Sequence, residues 1–378
     1  MLKMSNAQAI LTGNGDERRT LVAVFLRGGA DGLSIVAPLG DGDYYKARPR
    51  LAIDRKEAVP LDGFFGLHPL LRPLESTWKE GELAIVHGAG TEDTTRSHFE
   101  AQDLMEHGGI VAGGWLGRFL RYRANGGTGA LTCIAVGKSL PESLLGAPSA
   151  TVMQSLEDFA LVAPAPNLTS ELQRLYAQEQ GGLGSAARDT FEALQRLETM
   201  RKSPIAPAGG ADYGTASFGL GLQQIARLIK ADVGLEAASI DLEGWDSHFT
   251  QGTLIGPKLS ALAIGLAAFR RDLGRRMATT TVVVMTEFGR RVRENASFGT
   301  DHGRGSVMFV MGGGVRGGSV HAQWPGLGGN VLEGPGDLPV LHNYRNVLAP
   351  VLLRHGARPE DFATIFPAFD LKPLPLYG

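Results

Sequence analysis

The chain reads as an α/β protein, a doubly wound, mainly parallel central sheet with helices on both faces. Three observations lead there. Short apolar runs rich in β-branched residues alternate with longer helical patterns, and little hairpin signal lies between them. The runs are apolar nearly throughout rather than at every second residue, as expected of strands covered on both sides. At 378 residues the length allows one large domain or two ordinary ones.

Six runs carry the strand reading: TLVAVFL (20–26), LAIVHG (83–88), LTCIAVG (131–137), ASIDLEG (238–244), TTVVVMTE (280–287) and SVMFVMGG (306–313). Between them, SHFEAQDLMEHG (97–108) has the form of a capped helix, with Ser97 at the N-cap, Glu100 three residues on and Gly108 at the end. A helical block runs from about 169 to 231, and PKLSALAIGLAAFRRDLG (257–274) and YRNVLAPVLLRHG (344–356) complete the set. The stretch MRKSPIAPAGGADYG (200–214) is the most linker-like. The expected organisation is an N-terminal extension over 1–19 and one domain over 20–378, with a helical insert at about 165–215.

The totals exclude several classes. A formal charge of −2 gives no footprint for nucleic acid or an anionic membrane. The single cysteine, Cys133, allows neither an internal disulfide nor a thiolate metal cluster, so a metal site must use His and carboxylate. No uninterrupted apolar stretch approaches the ~18 residues of a membrane span, and the N-terminus lacks the apolar segment of a signal peptide. Glycine is 52 of 378 residues, roughly twice usual usage, and clusters near strand ends, where loops build sites. No GxGxxG, Walker A or GxSxG motif supports a nicotinamide, P-loop or α/β-hydrolase reading.

In a parallel sheet, ligands collect beyond the carboxyl ends of strands. Arg27 and Asp31 follow the first run; Arg96, Ser97 and His98 follow the second; Asp246 and His248 follow the fourth; and Glu287, then Asp301-His302, follow the fifth. Acids and imidazoles from separate loops are what a divalent-cation site needs. Each has a plainer reading. Asp31 before Gly32 suits a turn or N-cap, and Asp246-x-His248 suits either a local turn or a chelate. Glu287 has Arg290 and Arg291 as possible partners, while Asp301-His302 between glycines is hard to place in a core. Ser97 reads as a capping residue and equally as a hydroxyl at an anion-favouring helix start. His98 suits ligand, acid or packing roles. Arg96, Arg27, Arg290 and Arg304 read singly as surface residues and as a group would suit an oxyanion.

The segments FLRGGADGLSIVAPLGDGDYYKARPRLAI, FGLHPLLRPL, RSHFEAQDLMEHG, GWLGRFL, GWDSHF, MTEFGRR and TDHGRGSVMFVMGGGVRGG resemble the family called domain of unknown function 1501, over about residues 20–370. That family is grouped with the alkaline phosphatase and sulfatase superfamily. The resemblance implies one or two divalent ions (Zn, Mn, Ca or Mg) held by Asp31, Asp246, His248, Glu287, Asp301 and His302. It implies Ser97 as nucleophile, with Arg96 or Arg290 holding the oxyanion. Phe288 stands where the superfamily has a histidine, which removes one imidazole from that position; Asp301 is a candidate replacement. It also suggests a periplasmic, exported protein, although Arg18-Arg19 is not followed by an apolar segment. The leading expectation is a metal-dependent hydrolase acting on a small anionic phosphate or sulfate ester. A non-catalytic binding or accessory protein with a degraded metal site is the alternative, and phosphoryl transfer or isomerisation a third reading.

Overall fold

The computed structural model describes residues 18–123, 129–156, 168–179, 181–202 and 205–378. The expected N-terminal extension lies outside these residues except for its last two positions, and the expected helical insert falls partly outside them. Strands run in chain order as β1 (Thr20–Arg27), β2 (Val36–Ala37), β3 (Val59–Pro60), β4 (Gly66–Leu67), β5 (Leu83–Gly90), β6 (Cys133–Val136) and β7 (Thr151–Met153). Then come β8 (Ala237–Glu243), β9 (Thr280–Met285), β10 (Ser306–Gly312), β11 (Ser319–His321) and β12 (His342–Asn343). The helices are α1 (Gly32–Ile35), α2 (Gly42–Ala47), α3 (Glu75–Lys79), α4 (His98–His107), α5 (Trp115–Tyr122), α6 (Leu168–Gln178), α7 (Gly182–Lys202), α8 (Ser217–Lys230), α9 (Gln251–Leu273), α10 (Tyr344–Arg354) and α11 (Phe362–Ile365).

The main sheet is ordered β11-β5-β10-β9-β1-β8-β6-β7, with β12 alongside β5. Its pairs are parallel except those of β10, which runs against both β5 and β9. All six expected runs are strands of this sheet, so the mainly parallel α/β reading holds. Strand β1 shows why the runs lack alternation: Val22, Val24 and Leu26 enter one core, with Leu222, Leu259 and Leu266 of α8 and α9, while Leu21, Ala23 and Phe25 enter the opposite one, with Met105, Phe119 and Val347. Both faces are dry from Leu21 to Leu26, so every side chain in that run is apolar.

The antiparallel β10 has a consequence for function. It enters the sheet where its neighbour β9 leaves it. The residues before β10 therefore reach the same edge as the residues that follow β1, β5, β8 and β9.

Helix α9 starts six residues before the expected Pro257 and carries that proline inside it. Its first residue is held from outside. Gln251 donates its backbone N–H to Phe298 O at 2.8 Å and its side-chain amide to Asp31 at 2.6 Å. These contacts override the local breaker. By length and apolarity α9 with the turn after it, Gln251–Ala278, could cross a membrane, but Leu259, Leu262, Leu266 and Phe269 are fully buried within the protein.

Beneath the site lies a buried polar hub. Arg48 grips Asp31 with two bonds, of 2.5 and 3.0 Å, and donates to the carbonyls of Arg291 and Val292 at 2.9 and 2.8 Å. Asp31 also accepts from Ser34 Oγ at 2.6 Å, and Gln251 Oε1 accepts from Ser247 and Thr300 at 3.1 and 2.6 Å. Burial by itself would raise the Asp31 carboxyl, but the Arg48 charge and these hydrogen bonds hold it below the usual range. Removing one partner of a buried pair strands the other charge, so Arg48→Ala should cost about 3–5 kcal/mol in urea unfolding. Because the folded Asp31 pKa is depressed, its contribution is full above the unfolded value near 3.9 and is lost as pH falls through the folded value. Acid titration of Asp31→Asn should be flatter than wild type in that window. An unchanged curve would remove the hub from the stability account.

Candidate metal centre

Three loops deliver the site. The loop after β5 ends at Ser97 and starts α4 at His98; the loop after β8 carries Asp246 and His248; and the β9–β10 connection carries Glu287 at its start and Asp301-His302 just before β10. The segments around 289–291 and 301–304 are cross-linked, with Arg291 N–H donating to Asp301 O and Gly303 N–H to Gly289 O, both at 2.9 Å. That fixes Glu287 and Arg290 relative to His302. Gly28 closes the floor. Its φ of +118° favours glycine, and a Cβ there would stand 2.6 Å from the Asp246 backbone nitrogen.

Three imidazoles converge on one carboxylate oxygen. Asp246 Oδ1 lies 3.4 Å from His98 Nε2, 3.0 Å from His248 Nε2 and 3.4 Å from His302 Nε2. His248 Nε2 and His302 Nε2 are 2.9 Å apart. Donor atoms bound tetrahedrally at about 2.0–2.1 Å from a zinc-like ion stand roughly 3.3–3.4 Å from one another, so the spacing suits such an ion. His98, Asp246 and His302 form one group whose donor atoms all fall within 4.8 Å, and His248 Nε2 lies beside two of its members, Asp246 and His302.

The far side of each ring says which nitrogen is free. His98 Nδ1 meets Glu287 Oε1 at 2.9 Å, His302 Nδ1 meets the Arg96 carbonyl at 2.8 Å, and His248 Nδ1 faces Asp301 Oδ1 at 3.6 Å. Acceptors on Nδ1 of His98 and His302 place the proton there and turn those two Nε2 lone pairs toward Asp246, while Asp301 stands too far from His248 Nδ1 to hydrogen-bond it. Lone pairs facing each other at such range repel unless a cation or proton lies between them. Carboxylate or carbonyl behind a ligating imidazole is the usual support of a metal site. The donor set therefore fits a divalent ion. His98 Nε2 is buried without a hydrogen-bond partner, as a vacant ligand would be.

Charge is tuned around this centre. Partial burial would raise the Asp246 carboxyl, but Arg290, 2.7 Å away, holds it at about 2. The hydrogen bond that His98 donates to Glu287 lifts its imidazole above the ordinary range, whereas burial lowers His302. Burial also opposes ionisation of Glu287, yet His98, Gln102 and the Gly28 N–H keep it ionised. Phe288, 4% exposed, stacks on His98 at 4.8 Å and packs on His302 at 4.9 Å, so it orients the rings. Backbone strain collects beside His248: Thr250 and Phe298 both have left-handed φ, 41° and 60°.

Against the expectations from sequence, Asp246, His248 and His302 come together, with Glu287 and Asp301 placed behind imidazoles instead of among the converging donors. Asp31 is elsewhere, because Arg48 and Gln251 engage both its oxygens. Arg290 is 1% exposed and spends its guanidinium on Asp246 and on the carbonyls of Gly28, Gly29 and Thr300, which leaves nothing for an oxyanion. Arg96 is bound to the His302 carbonyl and to Asp337. Ser97 is exposed and caps α4 through Glu100 N–H at 3.4 Å, while the Glu100 carboxylate turns to Thr95, so only half the expected capping box forms. His98 is the residue the sequence left undecided. Its place at a helix start beyond a strand end was the available signal.

A mainly parallel α/β sheet with a histidine–carboxylate cluster at its loop-bearing edge defines an α/β protein with a candidate metal centre. The chain belongs to the family described as "Protein of unknown function (DUF1501)", whose sequence profile matches residues 90–360. No match is found among curated protein sequences. Similar solved structures include the PsFucS1 sulfatase from Pseudoalteromonas sp., at 13% identity and TM-score 0.39, covering 91% of this chain and 69% of that one. The C-terminal periplasmic domain of EcEptC from Escherichia coli, in complex with Zn, has 10% identity and TM-score 0.33, covering 79% and 74%. The alkaline phosphatase from the Antarctic bacterium TAB5 has 10% identity and TM-score 0.25, covering 79% and 93%.

Two measurements follow from the geometry. Glu287→Gln should weaken Zn binding by about 10- to 100-fold in a competition titration against a chromogenic chelator; unchanged affinity would sink the role given to Glu287. Metal and proton compete for Nε2. Since His98 is raised, affinity should start to fall above the ordinary imidazole value of about 6.5 as pH is lowered.

Proposed function

We propose that the chain is a metal-dependent hydrolase of phosphate or sulfate esters. The observation that carries the reading is the convergence of three imidazole Nε2 atoms on Asp246 Oδ1, with His98 and His302 fixed from behind by an acceptor on Nδ1. His98, Asp246, His248 and His302 would hold the ion. When bound, a divalent cation supplies Lewis acidity to the ester oxygens. The residues contribute the rest. Arg290 keeps Asp246 ionised and aimed, and Glu287 and Phe288 set the orientation of His98. The N-terminus of α4 adds free N–H groups and a favourable field for an anion. Ser97, one residue before His98, is the nucleophile in this reading. Its Oγ bonds to phosphorus or sulfur, the alcohol leaves with the hydroxyl proton, and water then cleaves the seryl ester.

The test begins with elemental mass spectrometry on protein purified without an affinity metal column. Near-stoichiometric Zn or Mn in wild type, reduced in His302→Ala, is expected. Aryl phosphate and aryl sulfate turnover should then fall by at least about a thousandfold in Ser97→Ala, with metal retained. Full activity in Ser97→Ala would transfer the nucleophile's role to water. Metal binding with no turnover of either ester would leave a non-catalytic binding protein.

A further inference from the structure

Beyond the carboxyl ends of β6 and β8 lies a cleft of about 480 Å³ that no candidate metal ligand lines. It exists because β6 stops early. Its pairing with β8 ends at Val136 opposite Ile240, while β8 continues to Glu243. The edge from Asp241 to Glu243 thus has no strand beside it on that flank, and the loop through Gly137, Lys138 and Ser139 forms the facing wall.

The cleft is furnished with unpaired charge. Lys138 and Lys258 both line it, and among the described residues neither ammonium makes a hydrogen bond or an ion pair. Lys258 Nζ lies over Gly244, 3.0 Å from where a Cβ would sit, so glycine there leaves the amine room to reach the cleft. Asp241 Oδ2 accepts from Arg27 Nε at 2.6 Å, and its Oδ1 is fully buried. Gln154 and Ser139 add an amide and a hydroxyl. The aromatic ring at the wall, Phe218, is 2% exposed and offers no stacking face.

The cleft is tied to the metal centre. Arg27 bridges Asp241 to Gln102 at 3.1 Å, Gln102 donates to Glu287 at 2.9 Å, and Glu287 holds His98 at 2.9 Å. Along the chain, Glu243 is three residues from Asp246, at most about 11 Å. One molecule can reach both places.

We propose that this cleft binds the non-reacting part of the substrate, and that this part is a polyhydroxylated, sugar-like group bearing a second anionic substituent. The inference rests on the hydrolase reading and adds its substrate class. Lys138 and Lys258 take the anion. Gln154 and Ser139 take hydroxyls, and the wall lacks the flat apolar surface that an aryl or acyl group would select.

The test is calorimetric titration of the full chain with a monosaccharide bisphosphate and a monosaccharide disulfate, against the free sugar and inorganic phosphate. Each is run with a chelator and again with Zn. Lys138 is exposed, Lys258 is half-buried and neither ammonium is paired, so Lys138→Ala/Lys258→Ala should stay close to the wild-type melting temperature. The expected result is binding of the bis-anionic sugars to chelated wild type, weakened at least tenfold in the double variant, with little binding of the free sugar. Equal affinity in wild type and double variant overturns the proposal, as does binding that appears only with Zn and ignores the lysines. Inorganic phosphate binding as well as the sugar would also overturn it. Lysine-dependent binding in chelator that Zn fails to tighten, with no ester turnover, would keep the cleft and remove the hydrolase reading.

Discussion

The buried Asp31–Arg48 ion pair is the constraint on which the arrangement hangs. Two ionic groups, 1% and 0% exposed, are tolerable only because every remaining valence is met. Meeting them recruits the chain on all sides. Arg48 reaches the carbonyls of Arg291 and Val292, and Asp31 takes Ser34 and Gln251. Gln251 passes the constraint to Ser247 and Thr300, the neighbours of His248 and Asp301. The hub thereby spaces the loops that present the imidazoles, although it holds none of them. An acid that sequence pattern offered as a ligand serves instead as the anchor beneath the ligands.

Above that anchor the chemistry is decided by orientation. Imidazole is ambiguous, with two nitrogens that can exchange roles. Glu287 and the Arg96 carbonyl remove the ambiguity for His98 and His302 by occupying Nδ1 of those rings. Arg290 does the same for Asp246 by fixing its oxygen and keeping it charged. The centre is thus preorganised: the cost of bringing donors together is met by burial and hydrogen bonding elsewhere in the fold, in keeping with the strain beside His248.

Much of the fold was legible. A strand buried on both faces must be apolar throughout, and six such runs declared themselves. Helix α4 was legible through Ser97 and Gly108, because caps are local chemistry. The start of α9 was not, since Gln251 is fixed by Phe298 and Asp31, far off in the chain. Among the site residues, Asp246, His248 and His302 could be picked out because acids and imidazoles at strand ends are rarely there for packing. His98 was equivocal, and the division between converging donors and the acceptors behind them could not be read at all.

What the sequence by itself determined is what depends on residue type and near neighbours: a two-faced parallel sheet, capped helices, a thiolate-free donor set, and the loops where donors sit. What only the tertiary structure decided is which donors face one another. The reversed direction of β10 brings His302 to the edge where β8 delivers His248. Arg48 claims Asp31, Arg290 is consumed by backbone carbonyls, and β6 ends early enough to open a cleft beside β8. Those outcomes are set by partners tens to hundreds of residues away. Local pattern constrains such pairings only weakly, because hydrogen-bond geometry and charge compensation are settled in space, after the chain has packed.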